Sequence, residues 1–269
     1  MFDVSVVLIS LSSRKFLQES IENIVTQLAK PKEIIVAISL SDNLSTKLIK
    51  KYQDNNKGIN FLILKELNDS SLGVRLSAIK RATSRYIAFL DSKDVWEDEK
   101  IFQQYHFMIN HKILFSYTYY SFFYREDIKK EKSCIMSSRE SYNLNQLMLH
   151  HGICFSSVMI DKDLLKRNIT GLNQNKVKDD YLLWLTILKF ENVRAYLLPS
   201  RLCQIREIKN KRAVSFFKHF KSSVPLNIKF NNSKTKSIYY SIHSGMLLKL
   251  DNFSFNLCNS LRSIIRLLK

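Results

Sequence analysis

Strand-like and helix-like segments alternate four times within about the first ninety residues, and no other feature restricts the fold as much. Apolar runs of strand length occupy 4–11 (VSVVLISL), 33–40 (EIIVAISL), 61–67 (FLILKEL) and 85–92 (RYIAFLDS). Between the first two, Phe16, Leu17, Ile21, Ile24, Val25 and Leu28 recur at helical spacing, which predicts a helix that Pro31 ends. Residues 41–52 read as a helix capped by Ser41 or Asp42, and 73–84 as another helix. Such alternation predicts βαβ units: an α/β fold with a doubly wound, mostly parallel sheet covered by helices on both faces. Sheets of this kind bind ligands where their strands end, which singles out Ser10–Arg14, Ser39–Asp42 and Asp91–Asp94.

Beyond residue 100 the order loosens. Residues 115–124 (FSYTYYSFFY) alternate as a half-buried aromatic strand, 125–133 read as a charged turn, 156–160 as a strand and 179–190 as a helix. From about Lys209 to Lys269 the chain reads as a basic run of helices. Apolar residues at 45% and aromatics at 12% suffice for a sizeable core, which excludes disorder of the whole chain. No apolar run reaches the roughly 18–20 residues of a membrane span. The opening MFDVSVVLISLSS has no basic leader and reads as a strand rather than a signal peptide, so a cytoplasmic location is expected. Cys134, Cys154, Cys203 and Cys258 form no CxxC pair and read as thiols, not as a zinc site. His150 and His151 lack partners at ligand spacing and read as a polar loop. With 42 Lys and Arg against 24 Asp and Glu, the net charge of +18 attracts anions, be they nucleic acid, acidic headgroups or phosphorylated metabolites.

The segment RYIAFLDSKDVWEDEK (85–100) resembles the strand and DXD loop of family 2 glycosyltransferases, whose usual string is close to YIAFLDSDDLW. Residues 4–39, including Gln27, look like that family's opening, and KDDYLLWL (178–185) is similar to its EDYDLWL helix start. GICFSSVMI (152–160) resembles the strand leading to that helix, and Arg206 falls where the family often has an Arg after an aromatic. The resemblance covers about residues 4–208. It implies a GT-A fold over 1–208, with a donor half at about 1–100 and an acceptor half at about 101–208, followed by a basic helical extension over 209–269.

The implied activity is transfer of a sugar, with inversion, from a nucleotide sugar to an acceptor hydroxyl. Such a displacement needs a base for the acceptor proton and charge to stabilise the departing diphosphate. By resemblance the base is Asp180, with Asp179 as the first acid of the pair; the bland alternative is that either caps the helix. On the donor side the resemblance assigns Ser10, Ser39, Arg75, Asp91 and Lys93. Here the pattern is altered. The third DXD position, usually an acid that ligates Mn²⁺ or Mg²⁺, is Lys93, and Asp94 follows it. Asp91 and Asp94 are metal ligands only if a metal binds. Ile38 or Ser39 stands where the family has its nucleobase-gripping acid, Ile9-Ser10-Leu11-Ser12 replaces Pro-Thr-Tyr-Asn, and Arg75-Leu76 replaces Arg-Asn. Asp42 either substitutes for the missing acid or caps the next helix. Two readings stand: Lys93 is a fixed cation that replaces the metal, or the donor site has decayed and the chain is a scaffold in glycan assembly.

The terminal FSFNLCNSLRSIIRLLK (253–269) puts apolar residues on one face and Arg262, Arg266 and Lys269 towards the other. Interfacial helices on anionic lipid have this pattern, and so do ordinary terminal helices packed on their domain. The resemblance implies a glycan or polyprenyl-diphosphate-linked acceptor and peripheral placement on the inner face of a membrane. Nucleic acid is not an expected partner, because no helix-turn-helix, RRM or zinc-finger pattern occurs.

Overall fold

Each of the four apolar runs forms a strand, and all four lie side by side. The computed structural model describes residues 1–11, 14–66, 71–124, 135–136, 139–150, 152–169, 180–189 and 193–207. The first half runs β1 (Phe2–Ser10), α1 (Leu17–Val25), β2 (Pro31–Ser39), α2 (Asn43–Asn55), β3 (Asn60–Glu66), α3 (Ser71–Arg81) and β4 (Tyr86–Asp91). The second half adds β5 (Val95–Trp96), α4 (Lys100–Asn110), β6 (Phe115–Tyr124), β7 (Ile135–Met136), β8 (Ser141–Tyr142) and α5 (Leu144–His150). It continues with β9 (Met159–Asp161), α6 (Lys162–Ile169), α7 (Asp180–Leu188) and β10 (Ala195–Glu207).

The strands order as β3-β2-β1-β4-β9-β6-β10-β5. β3, β2, β1 and β4 are mutually parallel, β9 runs antiparallel between β4 and β6, and β6 pairs parallel with β10. The sheet is therefore mostly parallel, as the alternation predicts. Period-two alternation divides its side chains between two cores. Val4, Val6 and Leu8 join Leu17, Ile21 and Ile24 of α1 and Ile101 and Met108 of α4. Val7 and Ile9 face the other way, into a core with Val74, Ala78 and Ile79 of α3 and Trp184 of α7. α7 has a buried residue at each position from Tyr181 to Leu185, and Trp184 sits among Phe89, Phe115 and Phe155 at ring separations of 5.8, 5.4 and 5.9 Å.

Several boundaries differ from the sequence reading. α1 ends at Val25, and Leu28 is 64% exposed rather than on the apolar face. The chain leaves the helix because Gln27 is drawn into the 97–101 segment: its Nε2 donates to the Glu97 carbonyl at 2.9 Å and its Oε1 accepts from the Ile101 amide at 3.1 Å. Pro31 follows as the first residue of β2, a position where a missing N–H costs no ladder bond. Residues 155–157 form a 3₁₀ turn, so the strand expected over 156–160 is reduced to β9. The turn expected at 125–133, residue 179 and the extension expected over 209–269 lie outside the described residues. Among the described residues no helix is long and apolar enough to cross a membrane.

Candidate active site

The carboxyl ends of β1 and β4 meet at the loop that follows Asp91. The Ser92 amide donates to the Ile9 carbonyl at 3.0 Å, extending the ladder by one bond, and the Asp94 amide donates to the Asp91 carbonyl at 2.9 Å to close a turn around Ser92 and Lys93. Beyond the turn, β5 pairs antiparallel with Cys203 and Gln204 of β10. The loop is thus stitched to the sheet on both sides.

Asp91 and Arg75 come together. Arg75, on α3, has a side chain only 4% exposed, and its Nη2 lies 3.7 Å from Asp91 Oδ2, whose side chain is 32% exposed. The guanidinium lies over the Phe155 ring, 3.8 Å from its centroid, which gives a desolvated cation a partner face. An acid at the strand edge is thereby held from beneath and open from above. Lys93 is half-buried on the same turn.

Asp94 is fully enclosed. Its Oδ2 accepts from Ser156 Oγ at 2.7 Å and its Oδ1 from the Arg206 amide at 3.2 Å. Burial, and then the neighbouring Asp91 charge, push its carboxyl up to about 7, against the pull of Lys93 and the two hydrogen bonds. Ser156 Oγ also accepts from the Asp91 amide at 3.1 Å, and the Ser156 carbonyl accepts from Trp96 Nε1 at 2.7 Å. The 154–158 segment is therefore the floor on which the loop rests.

These donors decide whether a divalent metal fits. Asp94 has both oxygens committed to the loop's own structure, Asp91 is ion-paired, and position 93 carries a cation. Among the described residues no three of His, Cys, Asp and Glu are grouped to hold a metal ion. The described donor set does not fit the metal that a DXD loop implies.

Ser10 closes β1, and its hydroxyl, like that of Ser92, is buried with no partner among the described residues. Ser39 ends β2, with its Oγ 3.4 Å from Ser41 Oγ. Asp42 is the cap of α2: its carboxylate accepts from the Ser45 amide at 3.0 Å and from Ser45 Oγ at 2.5 Å. Asp180 is the first residue of α7, and its side chain, like all of Asp179 and His151, lies outside the described residues. His150 meets Arg139, with Nε2 and Nη1 2.8 Å apart.

Sequence reasoning missed Ser156, Phe155 and the polar face of α1. Ser20 Oγ donates to the Ser92 carbonyl at 2.5 Å, and Asn23 bonds both the amide and the carbonyl of Trp96 at 2.8 and 2.9 Å. One signal was available: Ser20, Asn23 and Gln27 are uncharged polar residues at helical spacing beside the apolar stripe of α1, where a solvated face is usually charged.

The fold has known counterparts. Two solved structures share the fold: S. aureus TarS 1–349 in complex with UDP-GlcNAc, with a TM-score of 0.65 at 15% identity over 90% of this chain and 71% of that one, and the mannosyltransferase PcManGT from Pyrobaculum calidifontis in complex with GDP-Man and Mn²⁺, with a TM-score of 0.64 at 12% identity over 99% and 80%. Among sequence relatives, the Escherichia coli UDP-Glc:alpha-D-GlcNAc-diphosphoundecaprenol beta-1,3-glucosyltransferase WfaP is 32% identical over 187 residues, which is 69% of this chain and 70% of the relative. WfgD of E. coli, named for the same activity, is 27% identical over 241 residues, 89% of this chain and 91% of the relative. The model of glycosyl transferase family 2 matches residues 5–168, from within β1 through the Asp91 loop to α6. With the sheet order, the strand-edge acid and that match in agreement, the chain belongs to glycosyl transferase family 2.

Proposed function

We propose that this chain is an inverting glycosyltransferase that moves a sugar from a nucleotide-sugar donor to a hydroxyl of a lipid-linked saccharide. The observation that carries the reading is the Asp91–Arg75 pair at the edge of β4, with Lys93 two residues on. Asp91 and Lys93 contact the donor diphosphate side, Arg75 supports the nucleotide from below, and Ser10 and Ser39 line the ends of the neighbouring strands. Two relatives named for UDP-glucose and a diphosphoundecaprenol-linked GlcNAc acceptor favour those as donor and acceptor class.

In the transfer, an acceptor hydroxyl oxygen forms a bond to the anomeric carbon as the bond from that carbon to the diphosphate oxygen breaks. The proton goes to the Asp180 carboxylate, and the nucleoside diphosphate departs with the electron pair. Lys93 offsets the charge that develops on the leaving group, a task a fixed ammonium performs as a point charge. The +18 net charge and the basic sequence over 209–269 favour peripheral placement on the inner, anionic membrane face where such acceptors are presented.

The test is to incubate the purified chain with UDP-glucose and a synthetic GlcNAc-diphosphate lipid in EDTA, reading product mass and anomeric configuration. A β-linked glucosylated product is expected, with loss of about 10²–10⁴-fold in rate for Asp180→Asn. Absence of product together with absence of UDP-glucose binding, with or without Mn²⁺, overturns the reading in favour of a non-catalytic scaffold.

A further inference from the structure

A metal ion bound by a carboxylate organises its own loop; a lysine in that place has to be positioned by the protein. The turn carrying Lys93 is gripped by Arg206, 113 positions further along the chain. Arg206 Nε donates to the Lys93 carbonyl at 2.8 Å, and the Arg206 backbone amide donates to Asp94 Oδ1 at 3.2 Å. The side chain is 3% exposed, and its Nη2 lies 2.7 Å from each oxygen of Glu19 on α1. Its guanidinium is flanked by the rings of Phe16 and Phe123, at 4.3 and 4.5 Å from their centroids.

A buried ion pair of this kind contributes little net stability, because desolvation offsets most of the attraction. What it does supply is direction, since a planar fork held between two rings has one orientation. The same helix holds the neighbouring carbonyl through Ser20 and both polar groups of Trp96 through Asn23. The backbone at 92–96 is therefore set before any ligand arrives.

We infer that Arg206 and Glu19 are positioning residues which fix the Lys93 backbone so that its ammonium is preorganised for the donor's β-phosphate. This rests on the proposed function. It assigns to the Glu19–Arg206 pair a role in phosphate affinity that is separable from stability, because Arg206 holds the carbonyl of residue 93 and Glu19 holds Arg206.

The test compares the affinities of UDP and UMP by calorimetry, in EDTA, for the wild-type chain, Lys93→Met, Glu19→Gln and Arg206→Lys. Glu19 is one-third exposed, so its variant keeps the experiment readable even where Arg206→Lys folds poorly. Lys93→Met is expected to remove most of the preference for UDP over UMP. Glu19→Gln and Arg206→Lys are expected to lower it by about tenfold while UMP affinity holds. Adding Glu19→Gln to Lys93→Met is expected to cost nothing further. An unchanged UDP-to-UMP ratio in both Glu19→Gln and Arg206→Lys, or a parallel loss of both ligands, overturns the inference while leaving the function intact. Failure of the wild-type chain to bind UDP overturns the function, and the inference with it.

Discussion

Ser156→Ala is the perturbation whose cost follows most directly from the site. The hydroxyl is wholly buried and does two things at once: it accepts from the Asp91 amide at 3.1 Å and donates to Asp94 Oδ2 at 2.7 Å. Removing it leaves a part-buried N–H and one oxygen of a buried carboxyl without that partner. Each such loss costs about 1–3 kcal/mol, so the pair amounts to roughly 2–6 kcal/mol. For domains of about this size that lowers Tm by roughly 4–24 °C. The neighbouring Ser157→Ala is the internal control. Its hydroxyl donates to the Cys154 carbonyl at 2.7 Å within the same turn, and losing that single neutral bond costs about 1 kcal/mol, or roughly 2–4 °C. Thermal unfolding followed by circular dichroism reads both variants. Equal shifts for the two, or a shift under about 2 °C for Ser156→Ala, would refute the claim that Ser156 joins the floor of the site to its loop.

Three further outcomes are expected. Glu33→Ala removes one oxygen that accepts from Ser5 Oγ, from the Thr83 amide at 2.6 Å and from Thr83 Oγ1 at 3.0 Å, and equilibrium unfolding in urea should show a loss of about 3 kcal/mol. Gly152→Ala places a Cβ 2.0 Å from the buried Tyr142 hydroxyl; the forced repacking is expected to cost about 1–3 kcal/mol, whereas Gly58→Ala, with open space around it, should be within about 0.5 kcal/mol. Burial pushes the Lys100 amine down from 10.5 to about 7, so between those pH values the unfolded chain holds a proton that the folded chain lacks. Stability from this group therefore rises with pH over that window, by at most about 1.4 kcal/mol per pH unit, and Lys100→Met should flatten that limb in a series of Tm measurements.

The first four strands were legible because their apolar runs are continuous and their helices carry regular stripes; only tertiary demands moved the ends, as Gln27 does in stopping α1. In the second half the signals cancel. β10 contains Pro199, which has no amide to give to the ladder, and its register against β6 shifts between Leu198 and Arg201; a run broken in this way does not read as one strand. α4 mixes Lys100 and Gln104 into its buried face, where they meet the Val158 carbonyl and Ser116, so its amphipathic pattern is blurred. The site divided similarly. Asp91, Arg75 and Lys93 were reached through a motif, and Asp42 through the spacing of a cap. Ser156 and Glu19 were not, because each acts on a partner 62 or more positions away, and a lone Ser or Glu carries no local mark of such a partner.

The central claim is that Lys93 serves where a DXD loop usually ligates metal. Isothermal titration of UDP-glucose into the wild-type chain in EDTA, repeated with Mn²⁺ and with Lys93→Met, tests it most directly. The account predicts binding in EDTA that Mn²⁺ does not strengthen and that Lys93→Met weakens by about tenfold or more. Binding that requires Mn²⁺, or that is indifferent to Lys93→Met, would contradict it.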